Sequence, residues 1–170
     1  MTVSPKISTA HHVFLRAPTQ GDVAYLVEGL NEWGIAQWLP TVPFPYREED
    51  AGAFISDTNR TNPPQAYVVA SRETGEFLGV IGLSRNGGTP ELGYWLLPQH
   101  HGRGFMMEAI QQLLACQDKS LAAIFATADP GNAPSIKLLE KAGFHLTGEH
   151  IRETPNRQGN LVVLRYQRDL

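Results

Sequence analysis

The spacing of apolar positions along this chain changes several times, and each change marks an element. Val13 to Arg16 is a short branched, apolar stretch ending before Pro18, as a brief strand does. Thr19 followed three residues later by Asp22 forms a reciprocal capping pair, and Val23, Leu26, Val27 and Leu30 then recur at i, i+3, i+4 and i+7. That spacing predicts a helix with one buried face. From Trp33 to Tyr46 the period is lost: Trp33, Trp38, Phe44 and Tyr46 are interleaved with Pro40, Pro43 and Pro45, which forbid a continuous helix. A second helix is predicted near Arg47 to Thr58.

The middle of the chain has the character of sheet. Ala66 to Arg72, Phe77 to Arg85 and Pro90 to Leu97 are rich in branched and aromatic residues, and Glu73-Thr74-Gly75 and Asn86-Gly87-Gly88 between them are hairpin-turn sequences. After Pro98 the helical period returns in Met106, Ala109, Ile110, Leu113 and Leu114. Leu121 to Ala126 fits a buried strand and Ala133 to Ala142 a helix. Gly143 stands where a left-handed residue ends that helix, with Phe144 able to pack back on Leu139. His145 to Glu153 and Leu161 to Gln167 fit two closing strands. The order predicts one α+β domain over residues 1–170, with a loose lead-in over residues 1–11.

Composition narrows the classes. The 170 residues carry a 42% apolar fraction, enough for a core, and a net charge of −3, which supplies no basic field for a nucleic-acid backbone. The single cysteine, Cys116, cannot form an internal disulfide, so a reducing, cytoplasmic setting is expected, with Cys116 as a packing residue. No apolar run reaches the roughly 18 residues of a membrane span, and a membrane partner is not expected. The histidines fall at His11, His12, His100, His101, His145 and His150 without metal-ligand spacing, so no metal is expected.

The chemistry concentrates between Glu91 and Glu108. There a strand leads into a glycine-bearing turn, Gln99-His100-His101-Gly102-Arg103-Gly104, and then a helix start. Two glycines let the backbone turn its amides into one concavity, and the helix N-terminus adds positive potential, an arrangement suited to phosphate. The same glycines would also serve to close an ordinary strand-to-helix turn. A P-loop is excluded because Phe105 and Met106 stand where Lys and Ser or Thr are required.

This segment resembles the Gln/Arg-x-x-Gly-x-Gly/Ala pyrophosphate motif of the GNAT superfamily of N-acetyltransferases. Asn132-x-x-Ser135, followed by Leu138 to Phe144, resembles the superfamily's later helix, and both motifs occur in the proper order. Leu15-Arg16 with Asp22, the Trp38-to-Tyr46 segment and Glu91-Leu-Gly-Tyr-Trp-Leu extend the resemblance to the RimJ/RimL-like branch. It implies a mixed, mostly antiparallel sheet splayed at the strand Gly93 to Leu97, with acetyl-CoA as donor and an amine as acceptor. It further implies coenzyme contacts from Leu96, Leu97, Gln99, His100, His101, Gly102, Arg103, Gly104, Phe105, Asn132 and Ser135. A protein α-amino group is the acceptor this branch implies; small amines, amino acids, an antibiotic, or a non-catalytic acyl-CoA module are the alternatives, and self-association as a homodimer stays open.

Two residues are catalytic candidates. Glu91 is either the base that takes the amine proton, directly or through water, or a solvated or edge-pairing carboxylate. Ser135 is either the donor to the leaving thiolate or a cap and coenzyme contact; the Tyr that many relatives carry further along this helix is replaced by Leu138 and Leu139. Trp38, Phe44, Tyr46 and Tyr94 are the candidate acceptor-site residues, with plain core as the other reading of the proline-broken aromatics.

Overall fold

The computed structural model describes residues 11–85, 88–118, 120–154 and 159–170. Its strands are β1 (Val13–Arg16), β2 (Ala66–Ser71), β3 (Phe77–Ser84), β4 (Glu91–Leu96), β5 (Ala123–Ala128), β6 (His145–Glu153) and β7 (Asn160–Asp169). The helices are α1 (Val23–Asn31), α2 (Trp33–Ala36), α3 (Glu48–Asn59), α4 (Phe105–Ala115) and α5 (Ala133–Lys141). All seven strands form one sheet in the order β1-β2-β3-β4-β5-β7-β6. Only β4 and β5 run parallel; every other neighbouring pair is antiparallel. This is the mixed GNAT architecture expected from the sequence.

Local chemistry sets the element ends. The Asp22 carboxylate accepts the Thr19 N–H at 2.7 Å and the Thr19 hydroxyl at 3.2 Å, and it also takes two bonds from Arg16 at 2.7 and 2.8 Å. The start of α1 is thereby locked to β1. Between Trp33 and Tyr46 only one helical turn, α2, forms, and it ends before Pro40. At the end of α5, Gly143 takes φ +86°, its N–H donates to Glu140 and that of Phe144 to Leu139. Phe144 and Leu139 share the core beneath, as a Schellman ending requires.

The sheet carries a core on each face. On one, Met106, Ile110 and Leu113 of α4 and Leu139 of α5 pack against Leu92, Leu96, Ile124 and Tyr166. On the other, α1 to α3 place Leu26, Leu30, Ile35 and Ile55 over Val68, Val80 and Leu97. Helix α1 approaches β4 closely: a Cβ on Gly29 would fall 2.5 Å from the Trp95 ring. No described residue of β5, β6 or β7 belongs to this second core, which is confined to the β1–β4 half of the sheet.

Two expectations are corrected. The fifth strand runs from Ala123 to Ala128, two residues later than the apolar run alone predicts, because Leu121 is held in a turn by the Asp118 carbonyl. Cys116 is exposed just past α4 rather than packed. The second hairpin turn lies partly outside the described residues, at Asn86 and Gly87, as does the lead-in over residues 1–10. Among the described residues, no helix is long and apolar enough to cross a membrane.

Candidate coenzyme and acceptor site

Strands β4 and β5 are in register only at Glu91↔Phe125 and Leu92↔Ala126, although both continue further. Against β3, by contrast, β4 is paired from Glu91 to Leu96. Leu97 donates to Leu78, and antiparallel alternation from that bond turns the N–H and C=O of Tyr94 and Leu96 away from β3. They face the gap opened by the splay. The His101 ring meets the Leu96 carbonyl through Nε2 at 2.8 Å. Leu96 and Leu97 have buried side chains, 8% and 4% exposed; the Leu96 N–H is left to a ligand, whereas the Leu97 N–H and C=O, expected to contact the coenzyme, are engaged by Leu78 and His100.

Beyond the gap lies the glycine turn. Gly102 and Gly104 adopt φ +70° and +80°, conformations that side chains disfavour, and a Cβ on either would meet nothing within 4 Å. The space on the Cβ side of both glycines is therefore open. Gly104 caps α4, whose first internal bond runs from Glu108 N–H to the Gly104 carbonyl, so the amides of residues 105–107 have no helical partner. Arg103 lies over the Phe105 ring at 4.6 Å, and Gln99 is exposed beside the turn. Free amides, a helix N-terminus and open space fit a pyrophosphate bearing a long extended arm. His100 differs: its ring is buried without a hydrogen-bond partner, 3.6 Å from Glu76, and burial holds it below the usual histidine range. It supports the turn from beneath.

Across the gap, Asn132 caps α5 by accepting the Ser135 N–H at 3.3 Å. Ser135 Oγ stands 2.8 Å from the Tyr94 hydroxyl, which joins the first turn of α5 to β4. Burial pushes the Tyr94 phenol up to about 12 despite the Ser135 bond, so it stays neutral and able to donate. The structure thus unites a candidate acceptor residue with a candidate catalytic one.

Glu91 is on the opposite face, and it is not a free carboxylate. Thr127 donates to its Oε1 at 2.8 Å, and Arg152 of β6 pairs with the same oxygen. Arg152 also donates to Thr127 at 2.6 Å. Next to this cluster the Arg165 guanidinium covers the Phe125 ring at 3.9 Å. Neither arginine is marked by a sequence pattern, since Arg152 meets Glu91 and Arg165 meets Phe125 only through the placement of β7 and β6 beyond β5.

The aromatic segment divides. Trp38 lies against the loop before α5, where a Cβ on Gly131 would come within 3.7 Å of its ring. Phe44, 43% exposed, meets Trp33 edge-on at 5.4 Å between centroids. Tyr46, expected in the acceptor wall, is instead a core residue, 6% exposed, whose N–H and C=O are both bound by Asn31. Among the described residues no group of three or more His, Cys, Asp or Glu could hold a metal ion.

With this geometry in place, comparison with known proteins gives one answer. Residues 12–145 match the acetyltransferase (GNAT) domain, and the chain belongs to that family. It is 28% identical over 155 residues to the uncharacterized N-acetyltransferase p20 of Bacillus licheniformis, spanning 87% of this chain and 86% of that protein. Its fold is similar to that of the Salmonella typhimurium acetyltransferase that modifies the N-terminal serine of ribosomal protein L7/L12, with TM-score 0.78, 18% identity, and 96% and 98% of the two chains covered. It is also similar to the Vibrio cholerae spermidine N-acetyltransferase crystallised with CoA and spermine, with TM-score 0.74, 19% identity, and 93% and 95% coverage. The protein is an acetyl-CoA-dependent N-acetyltransferase.

Proposed function

We propose that this acetyltransferase acts on the α-amine of a protein or peptide N-terminus, in the manner of the RimJ/RimL-like branch and in the cytoplasm, by direct attack within a ternary complex. The observation that carries this reading is Glu91, whose carboxylate is engaged by Thr127 and Arg152. An acceptor that needs no strong base suits such a site. An α-amine with pKa near 7.8 is roughly 10 to 15% neutral at pH 7, whereas a lysine-type amine is neutral in under about one part in a thousand. The Salmonella neighbour modifies an N-terminal serine, which is the same acceptor class.

In this reading the Leu96 N–H and the amides from Gly102 to Phe105 hold the coenzyme, which supplies an activated acetyl thioester, while the His100 and His101 amides, expected to join them, are committed to Leu97 and Pro98. Asn132 fixes the first turn of α5. The amine nitrogen attacks the carbonyl carbon, the carbon–sulfur bond breaks, and the proton shed by nitrogen passes to water. Ser135 donates a hydrogen bond to the departing sulfur while Tyr94 donates to Ser135. Trp38 and Phe44 border the acceptor entrance. CoA-thiol release over a panel of N-terminal peptides, free amino acids and polyamines tests the proposal: peptides should give the highest kcat/KM, and a preference for spermidine would overturn it.

A further inference from the structure

A depression of about 360 Å³ is lined by Phe125, Thr147, Gly148, Glu149, Arg165 and Gln167, and Phe125 is in register with Glu91 on the neighbouring strand. We infer that Arg165 is the acceptor-specificity residue of this site, and that it selects amines carrying an anionic group near the nitrogen. The inference rests on the α-amine reading and narrows it to N-termini followed closely by an acidic residue.

The charges of this face decide the sign. Arg152 neutralises Glu91 and is itself consumed in doing so. Arg165 forms no ion pair within 4.0 Å among the described residues; its guanidinium carbon stands over Phe125, 3.9 Å from the ring centre. Glu149 lines the same depression from β6 but stands outside ion-pair distance of Arg165. A guanidinium stacked on an aromatic ring is held in one orientation and presents a planar fork, the geometry that binds carboxylate in two parallel bonds. Stacking thus prepays the ordering that a free arginine side chain would lose on binding.

Register gives the distance. Phe125 pairs with Glu91 and with Gln167, while Thr127 pairs with Arg165 and lies level with the start of the splay. Arg165 therefore leans diagonally back to Phe125, two residues along β5 from the gap where the amine must arrive. At about 3.3 Å per residue of extended chain, the anion belongs roughly 7 Å from the nitrogen. That is the side chain of the second or third residue of an extended peptide.

The test uses two pairs of C-terminally amidated peptides, with Glu or Gln at the second or third position, assayed with acetyl-CoA on the full-length enzyme. Wild type should favour the Glu peptide about tenfold in kcat/KM, chiefly through KM. Arg165→Met, which keeps the stem over Phe125, should bring the Glu-to-Gln ratio to about one, Arg165→Lys should retain part of it, and Glu149→Gln should enlarge it. A wild-type ratio of one, or a ratio that survives Arg165→Met, overturns the assignment. Binding of the N-acetylated Glu and Gln peptides, followed by calorimetry, reads the same selectivity without turnover. If no peptide is acetylated, the α-amine reading fails alone; equal binding of the two acetylated peptides defeats Arg165 alone.

Discussion

The Tyr94 hydroxyl and Ser135 Oγ meet at 2.8 Å across the mouth of the splay, although 41 residues separate them in sequence. A tyrosine raised to about 12 is neutral throughout the working range; either hydroxyl can donate in this pair, and when Tyr94 does the serine proton is free to point elsewhere. Ser135→Ala should lower kcat with little change in the acetyl-CoA dissociation constant, at the low end of the about 10² to 10⁴ typical of lost proton donors. Tyr94→Phe removes one hydrogen bond and should cost about 1 kcal/mol, near fivefold in kcat. The double variant should match Ser135→Ala, because the two residues act as one unit. Steady-state rates combined with equilibrium coenzyme binding check this; an unchanged saturated rate in Ser135→Ala removes it from the mechanism.

Gly104 tests the coenzyme turn. Its φ of +80° makes any side chain strained, and Val would also fill space that is open beside the turn. Acetyl-CoA at 100 times its dissociation constant should stabilise the wild type by about 2.7 kcal/mol. Gly104→Val should lose that increment, with a ligand-free melting point lowered by strain of about 1–2 kcal/mol. Equal ligand-induced shifts in both proteins would move the pyrophosphate elsewhere.

What could be seen in advance follows from the range of the interactions. The Thr19/Asp22 cap, the Gly143–Phe144 helix ending and the glycine turn are each written within a few residues, and each forms as the local pattern demands. Tyr46 and Arg152 are different. A proline-broken aromatic segment has no period to reveal which ring points inward, and Tyr46 is drawn in by Asn31 on α1, 15 residues earlier. Strand β6 is exposed along nearly its whole length, so it carries no alternating apolar pattern to announce its register. Its neighbour β7 inserts between β5 and β6, and only that order carries Arg152 to Glu91 and Arg165 to Phe125.

Acid should act on the junction of β1 and α1. Burial raises the Asp22 carboxyl, but the Arg16 pair and the Thr19 bonds outweigh it and hold the group below its ordinary value. A carboxylate depressed in the folded state stabilises above its unfolded pKa of about 3.9, and that stability is lost as pH falls through the folded value. Asp22→Asn should therefore cost about 2 kcal/mol at neutral pH, less than a fully buried pair because Arg16 keeps some solvent contact. The difference between the two proteins should narrow steadily below about pH 4. Urea melts across pH 2.5 to 7 measure it, and a constant gap would remove Asp22 ionisation from the fold's acid response.

Gly29 is a packing requirement of α1. A Cβ there would fall 2.5 Å from one Trp95 ring carbon and 2.7 Å from another, with Leu97 at 3.1 Å. Helix propensity favours alanine by about 1 kcal/mol, yet overpacking of a rigid indole costs about 1–3 kcal/mol. Gly29→Ala should be net destabilising, and Gly29→Ala with Trp95→Phe should recover part of the loss. Denaturant midpoints on the three proteins decide which term dominates.

Glu91 separates a tether from a base. As a tether it holds β4 to Thr127 and Arg152 in a partly exposed cluster, and Glu91→Gln should cost about 1 kcal/mol of stability and less than tenfold in kcat. Arg152→Met should cost a similar amount, and the double variant little more than either, since each substitution removes the same pair. A general base would behave otherwise. Its loss typically costs about 10² to 10⁴ in rate and erases the low-pH limb that its own ionisation sets. With an α-amine acceptor that limb belongs to the substrate, near pH 7.8, and should survive Glu91→Gln intact. The pH dependence of kcat/KM for both proteins on one peptide gives the answer: a loss beyond 100-fold together with a vanished limb would restore Glu91 as the proton acceptor.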